Sequence, residues 1–141
     1  MSGSIRSGWL DTGKRLSEQV FRPRTVEKPW GSELIWAESE HYAGKILFVK
    51  AGESLSLQYH EFKDESWYVL EGRARLELGR AGEGSVDEVE IVPGQAFRFR
   101  PGTVHRVTGI EDVRILEVST AHLDDVVRLE DAYGREGTSE P

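Results

Sequence analysis

The sequence contains no cysteine. That excludes disulfide staples and thiolate metal sites, and it fits a reducing compartment, so a cytoplasmic location is expected. No apolar run approaches the ~18 residues of a membrane-spanning helix. The N-terminal residues are polar and charged, without the apolar core of a signal peptide, and no membrane partner is expected. Positive charge is also in deficit, with 18 Lys and Arg against 25 Asp and Glu and a net charge of −7. A nucleic-acid partner needs a positive surface, so none is expected. The excess negative charge favours solubility. Internal repeats and low-complexity tracts are absent.

What is present reads as one domain of 141 residues, long enough to bury a core unaided. Residues 1–24 read as a tail with a weak helix, carrying Leu10, Leu16 and Val20 at loosely helical intervals before Pro23 interrupts them. Residues 25–136 form the domain, and 137–141 a loose tail. Short alternating runs predict strands over 33–37, 42–50, 54–60, 66–71, 73–78, 86–92, 96–100, 104–108 and 113–119. Turn residues such as Gly52, Gly72, Pro93-Gly94 and Pro101-Gly102 separate most of them. Residues 123–132 switch to helical spacing and predict a C-terminal helix ending at Gly134. The expected fold is all-β, a sandwich or barrel, with short terminal helices.

One stretch carries most of the chemistry. Gln58 and His60 are two residues apart, so a strand turns both to one face, with Leu55, Leu57 and Tyr59 on the other. Glu65 falls on the next strand and His105 on a later one. Together they make a four-ligand metal site inside a small barrel. Neutral histidine and ionised glutamate are both available at pH 7, and Gln58 would bind through its amide oxygen. This donor set suits one divalent zinc, manganese, iron, cobalt or nickel ion. Trp67 and Val69 share the face of Glu65 and build an apolar wall beside it. Trp30 reads as a core aromatic, and His41 and His122 as surface residues.

The spacing resembles the cupin family. Gly52, five residues, Gln58-Tyr59-His60, four residues, Glu65, six residues and Gly72 match its first motif, with Gln58 in the place of the first histidine. Gly94, five residues, Arg100-Pro101-Gly102, two residues and His105 match the second, with the proline one place late. Within that family, residues 45–60 are similar to the opening of the isomerase domain of type II phosphomannose isomerases. Lys28-Pro29-Trp30-Gly31 resembles their entry motif, and Asp124 to Arg135 their C-terminal signature. The likeness covers roughly 25–136 and lacks the nucleotidyltransferase domain to which these isomerases are often fused. Where the family has extra histidines and an Arg-Ala-Glu-His-Trp segment, this chain reads His60-Glu61-Phe62-Lys63-Asp64-Glu65-Ser66-Trp67.

The resemblance implies a single cupin barrel. It favours zinc, because zinc-dependent phosphomannose isomerases of the larger cupin type use a Gln-x-His…Glu…His set. It also implies aldose–ketose isomerisation of a sugar or sugar phosphate, mannose 6-phosphate first. Lys45, Glu71, Asp131 and a metal-bound hydroxide are candidate bases. Lys45 alternates with Leu47 and Val49 and so shares their face, or else it is a rim lysine. Arg135, Arg128, Arg98 and Arg100 are candidate phosphate clamps. Arg128 and Arg135 either fold over the barrel mouth or pair with Asp124 and Asp131 as ordinary helix-surface charges. Arg98 and Arg100 point outward if Phe97 and Phe99 face the core. Lys45 and Arg135 stand as the catalytic candidates. The alternatives are another metal-cupin enzyme, a dioxygenase or lyase, and a non-catalytic small-molecule binder. A homodimer is expected, and the Leu55–Leu57–Tyr59 face needs cover from another sheet, the N-terminal segment or a second subunit.

Overall fold

The structure, a computed structural model, describes residues 17–122 and 124–134. The chain order is β1 (Arg24–Lys28), β2 (Gly31–Glu38), β3 (Tyr42–Val49), β4 (Leu57–Tyr59), β5 (Glu65–Glu71), β6 (Ala74–Arg80), β7 (Val86–Ile91), β8 (Ala96–Phe99), β9 (Thr103–Gly109), β10 (Val113–Thr120) and β11 (Val127–Glu130). They form two antiparallel sheets, ordered β1-β2-β3-β10-β5-β8 and β11-β4-β9-β6-β7. The double-sheet all-β architecture is the expected one. Among the described residues each sheet keeps two edges, so the expected barrel is an open sandwich there and not a closed ring of strands.

Period-two alternation explains the core. Along β10, Val113, Ile115, Glu117 and Ser119 are buried, while Arg114 and Val118 are exposed. Leu47 and Val49 of β3, and Trp67 and Val69 of β5, join Val113 and Ile115 on the inner face of the larger sheet. They pack with Ala74 and Leu76 of β6, Ile91 of β7 and Val107 of β9 from the smaller sheet. Interdigitated inner faces of this kind are the usual core of a two-sheet domain.

Three expectations change. The predicted helix over 123–132 is not formed: Val127–Glu130 is the edge strand β11, paired to β4 through Val127↔Tyr59, Arg128↔Gln58 and Glu130↔Leu57. The three-residue β4 would otherwise expose a bare row of backbone donors and acceptors, and satisfying them outweighs local helical spacing. β1, short and charged, was not anticipated; it pairs along its whole length with β2. Leu55 precedes β4 and belongs to the inner core cluster, not to the face of Leu57. The predicted N-terminal helix and the 137–141 tail lie largely or wholly outside the described residues.

Leu57 does point away from the core, as expected. It is only 9% exposed, because it lies in a groove with Val104, Leu129 and Arg106 of its own sheet.

Candidate metal centre and substrate pocket

Glu65 begins the inward series Glu65, Trp67, Val69 on β5. Gln58 on β4 faces His105 on β9 in register. His60 follows β4 directly, and the turn at Gly102 ties the two motifs together: its N–H donates to the His60 carbonyl at 2.8 Å. Gly102 holds φ at +85° there, a value that favours glycine.

The structure brings one oxygen of Glu65 and one nitrogen each of His60 and His105 within 4.8 Å of one another, all three residues buried. Hydrogen bonds to backbone fix both rings. His60 Nδ1–H donates to the Asp125 carbonyl, and His105 Nδ1–H donates to the Thr103 carbonyl at 3.0 Å. Each Nε2 is thereby left as an acceptor. His60 Nε2 and Glu65 Oε2 lie 2.7 Å apart, yet neither these atoms nor His105 Nε2 has a hydrogen-bond partner. Three buried nitrogen and oxygen atoms turned to one point, with the Lys63 ammonium 3.5 Å from Glu65 Oε2, is an arrangement that a cation satisfies.

The surroundings support the same reading. Trp67 Nε1–H donates to Glu65 Oε1 at 2.7 Å and to Glu117 Oε1 at 3.2 Å, which leaves Glu65 Oε2 turned to the histidines. Phe99 stacks on the His105 ring at 4.4 Å, and Trp67 meets it edge-on at 5.7 Å. Burial pushes the His105 imidazole down to about 4, so it is neutral at pH 7 and available as a ligand. Burial also works to raise Glu65, but the Lys63 ammonium and the two imidazoles outweigh it and hold the carboxyl well below the usual range. Gln58 lies on the same face beside these groups, its Oε1 accepting from Ser56 Oγ at 2.6 Å.

Above the triad opens a small pocket. It is lined by Lys28, Trp30, Glu33, Lys45, Lys63 and Arg128, together with Gln58 and His60. Lys45 is buried, facing inward as its alternation with Leu47 and Val49 implied, and its Nζ is 3.1 Å from Glu33 Oε1. Lys63 Nζ lies between Glu65 Oε2 at 3.5 Å and Glu117 Oε2 at 3.4 Å. Burial opposes its charge, but Glu117, Glu65 and Glu33 outweigh that and raise its pKa above the ordinary lysine value. Burial raises Glu117. Arg128 is only 6% exposed, so it is not an ordinary helix-surface charge; β11 turns it into the pocket beside Gln58.

Other candidates lie elsewhere. Glu71 is exposed and paired with Arg114. Arg98 and Arg100 are exposed, and Arg98 pairs with Asp64 at 2.6 Å. Asp131 is buried after β11 but is not among the residues lining the pocket. Arg135 lies outside the described residues. His41 and His122 are on the surface and Trp30 is buried, as expected.

Sequence reasoning missed Glu33, Lys63, Glu117 and Asp125. Glu117 was findable: it continues the Val113–Ile115 alternation inward, where a charged residue needs a reason. Glu33 was findable the same way, two residues before buried Ile35. Lys63 and Asp125 lie in loops, and no periodicity marks them.

Comparison with known proteins identifies the fold and the family. The profile of the family described as Mannose-6-phosphate isomerase C-terminal matches residues 15–131. The Mannose-1-phosphate guanylyltransferase 2 of Escherichia coli O157:H7 is 32% identical over 119 residues, 80% of this chain but 23% of that protein. The chain thus spans about a quarter of the length of the curated relatives it matches. Among solved structures, KdgF from Halomonas sp. superposes with a TM-score of 0.59 at 22% identity, over 72% of this chain and 89% of that one. Bacillus subtilis oxalate decarboxylase, described with Mn(II) centres, superposes with a TM-score of 0.64 at 19% identity, over 84% of this chain and 37% of that one. The fold is that of a cupin, and the chain belongs to the mannose-6-phosphate isomerase C-terminal family.

Proposed function

We propose that the protein is a metal-dependent aldose–ketose isomerase of sugar phosphates, with mannose 6-phosphate as the first substrate to test. The observation that carries the reading is the convergence of three buried atoms without a hydrogen-bond partner, His60 Nε2, Glu65 Oε2 and His105 Nε2, with His60 also lining a pocket that holds Lys28, Lys45, Lys63 and Arg128. Gln58 is the fourth ligand in this reading, through the second lone pair of its amide oxygen. Two imidazoles, a carboxylate and an amide oxygen suit zinc best, and manganese, nickel, iron and cobalt fit the same donors. When bound, such an ion supplies Lewis-acid stabilisation of charge on the substrate oxygens.

The chain's own residues supply the rest. Lys28 and Arg128 attract and orient the phosphate, the guanidinium giving the directional contact. Their placement matters in a chain whose net charge is −7, since it puts a local positive field where an anion must enter. Arg135 remains a second clamp candidate by its place in the C-terminal signature. Lys45, with Glu33 against it, lines the pocket wall and is our candidate for the group that holds or relays the proton moved between C1 and C2. Trp30 and Trp67 limit water near the reacting carbons.

We also infer a homodimer. The outer face of the six-stranded sheet carries one apolar row across five strands in register: Leu34, Ile46, Leu116, Tyr68 and Ala96. Trp36, Tyr42, Leu70 and Val118 extend it, each between 40% and 57% exposed. Monomers seldom leave a patch beyond a few hundred Å² bare. The rim pairs its charges internally, Arg98 with Asp64 and Arg114 with Glu71, so two copies meet there without repulsion.

The test of activity is direct. Protein stripped and reloaded separately with zinc, manganese, iron, cobalt and nickel is assayed for conversion of mannose 6-phosphate to fructose 6-phosphate. Turnover with at least one metal is expected, and abolished by His105→Ala. No turnover of any hexose phosphate by metal-loaded protein would overturn the isomerase reading.

A further inference from the structure

The segment after β10 returns to the site and fastens itself to the strand that carries two of the candidate ligands. Its two ends are anchored differently. At one end, the Tyr133 hydroxyl donates to Glu53 Oε1 at 2.6 Å and accepts from the Ser54 N–H at 3.4 Å. At the other, the Asp125 carboxylate accepts three consecutive backbone N–H groups: Glu61 at 3.0 Å on Oδ1, and Phe62 at 2.7 Å and Lys63 at 2.8 Å on Oδ2. The carbonyl of the same residue accepts the His60 Nδ1–H. Between these anchors β11 pairs with β4.

We propose that Asp125 is the positioning residue of the metal centre, its carbonyl setting the His60 tautomer and ring angle and its carboxylate locking the 61–63 loop that joins His60 to Glu65. The inference rests on the metal reading above and goes beyond it, because Asp125 touches neither the ion's place nor the pocket.

The physical case is one of loop geometry. Only four residues separate His60 from Glu65, yet the two must present Nε2 and Oε2 to one point. Left without acceptors, the three N–H groups of that loop would turn to water and draw the loop outward. One carboxylate takes all three, and charge-assisted bonds of this kind are stronger than neutral ones. A histidine ligand held from behind by a carbonyl is also the arrangement that fixes which nitrogen meets a metal.

The test uses Asp125→Asn in the full chain, which keeps the size and the backbone carbonyl but replaces one acceptor oxygen by a donor group. Glu83→Gln, on the exposed turn between β6 and β7, controls for loss of one negative charge. Three quantities are read: zinc affinity by chelator competition, hydrogen–deuterium exchange of the 61–63 amides in metal-free protein, and the His60 Nδ1–H resonance by NMR. The expected result for Asp125→Asn is zinc binding weaker by roughly 10–100-fold, faster exchange at 61–63 and, as the loosened loop shifts His60 against the retained carbonyl, a broadened or shifted ring-proton resonance, with Glu83→Gln unchanged in all three. Should Asp125→Asn fail to fold, Asp125→Glu, which displaces the carboxylate by one methylene, gives the same readouts. Wild-type zinc affinity together with wild-type exchange at 61–63 in the variant overturns the proposal and leaves the metal reading standing. A wild-type protein that binds no metal sinks the metal reading instead, and the exchange and ring-proton measurements then decide alone whether Asp125 holds the loop.

Discussion

Arg128 faces Gln58 across the β11–β4 pair, and Gln58 in turn faces His105 across β4–β9. The three form one inward row over three strands, a cation at the edge and a candidate ligand in the middle and at the far end. A guanidinium in that place lies beside the metal centre without competing for it, since it has no acceptor to offer.

The consequence for substrate binding is specific. Arg128→Ala should raise KM for a sugar phosphate by roughly 10–100-fold, the worth of one lost charge-assisted hydrogen bond or pair of them. Zinc content should not change, and any turnover of the free sugar should be nearly insensitive. Arg128→Lys should recover little, because the fork geometry is lost. If free and phosphorylated sugars respond equally, Arg128 is no phosphate clamp, and the same comparison on Arg135→Ala then bears on the other candidate.

Acid should destabilise the metal-free protein in a defined window. The His105 pKa is depressed to about 4 in the folded state, against ~6.5 for an exposed imidazole. Between those values the unfolded chain binds the proton and the folded chain does not, so stability falls as pH falls from about 6.5 to about 4. The full effect is of order 3 kcal/mol. Glu65, held low in the fold, adds a loss in the same direction at lower pH, as the acid range of an unfolded carboxylate is crossed. Urea midpoints measured from pH 8 to pH 4 should show the fall, and His105→Gln should flatten its upper part. A midpoint independent of pH between 7 and 5 in stripped wild-type protein would contradict this.

Metal should stabilise the fold by mass action. Free zinc at 100 times its dissociation constant contributes about 2.7 kcal/mol, a rise of several degrees in Tm for a domain of this size. His60→Ala and His105→Ala should each abolish the rise. The strand faces around Leu47, Trp67 and Ile115 carry the core, so both variants should still unfold cooperatively. A full zinc-induced shift in either variant removes that residue from the ligand set.

Much of the fold and of the candidate site is legible in the sequence. Gln58 and His60 could be placed on one face because strand alternation is strict, and Glu65 and His105 joined them through the spacing of the two motifs, with glycines at 52, 72 and 102 marking the turns. Lys45 was legible as an inward lysine for the same reason. What escaped depended on pairing between distant segments. Residues 123–132 carry helical spacing, yet β4 leaves an edge that only a strand can satisfy, and that need is invisible locally. With the helix went one of the two readings of Arg128, the surface charge paired with Asp124; the other, a cation turned toward the site, kept its place. Asp125 gave no signal, because its role lies in the amides of residues 61–63, which any sequence there would possess.

The outer face of the six-stranded sheet yields the last prediction. The row Leu34–Ile46–Leu116–Tyr68–Ala96 runs across the sheet in register, and a second copy related by a two-fold axis would lay the same row against itself. Leu116 sits at its middle, flanked by Ile46 and Tyr68. Leu116→Glu would place two carboxylates close together at the centre of such an interface, where burial without a partner costs several kcal/mol. Sedimentation velocity should show a dimer for wild type and a monomer for Leu116→Glu, with zinc binding retained because Leu116 faces away from the site. The same charge on the other sheet, Val89→Glu on exposed β7, should leave the dimer intact. If Leu116→Glu stays dimeric while Val89→Glu dissociates, the interface is on the smaller sheet; if wild type is monomeric at every concentration, the apolar row has no self-partner.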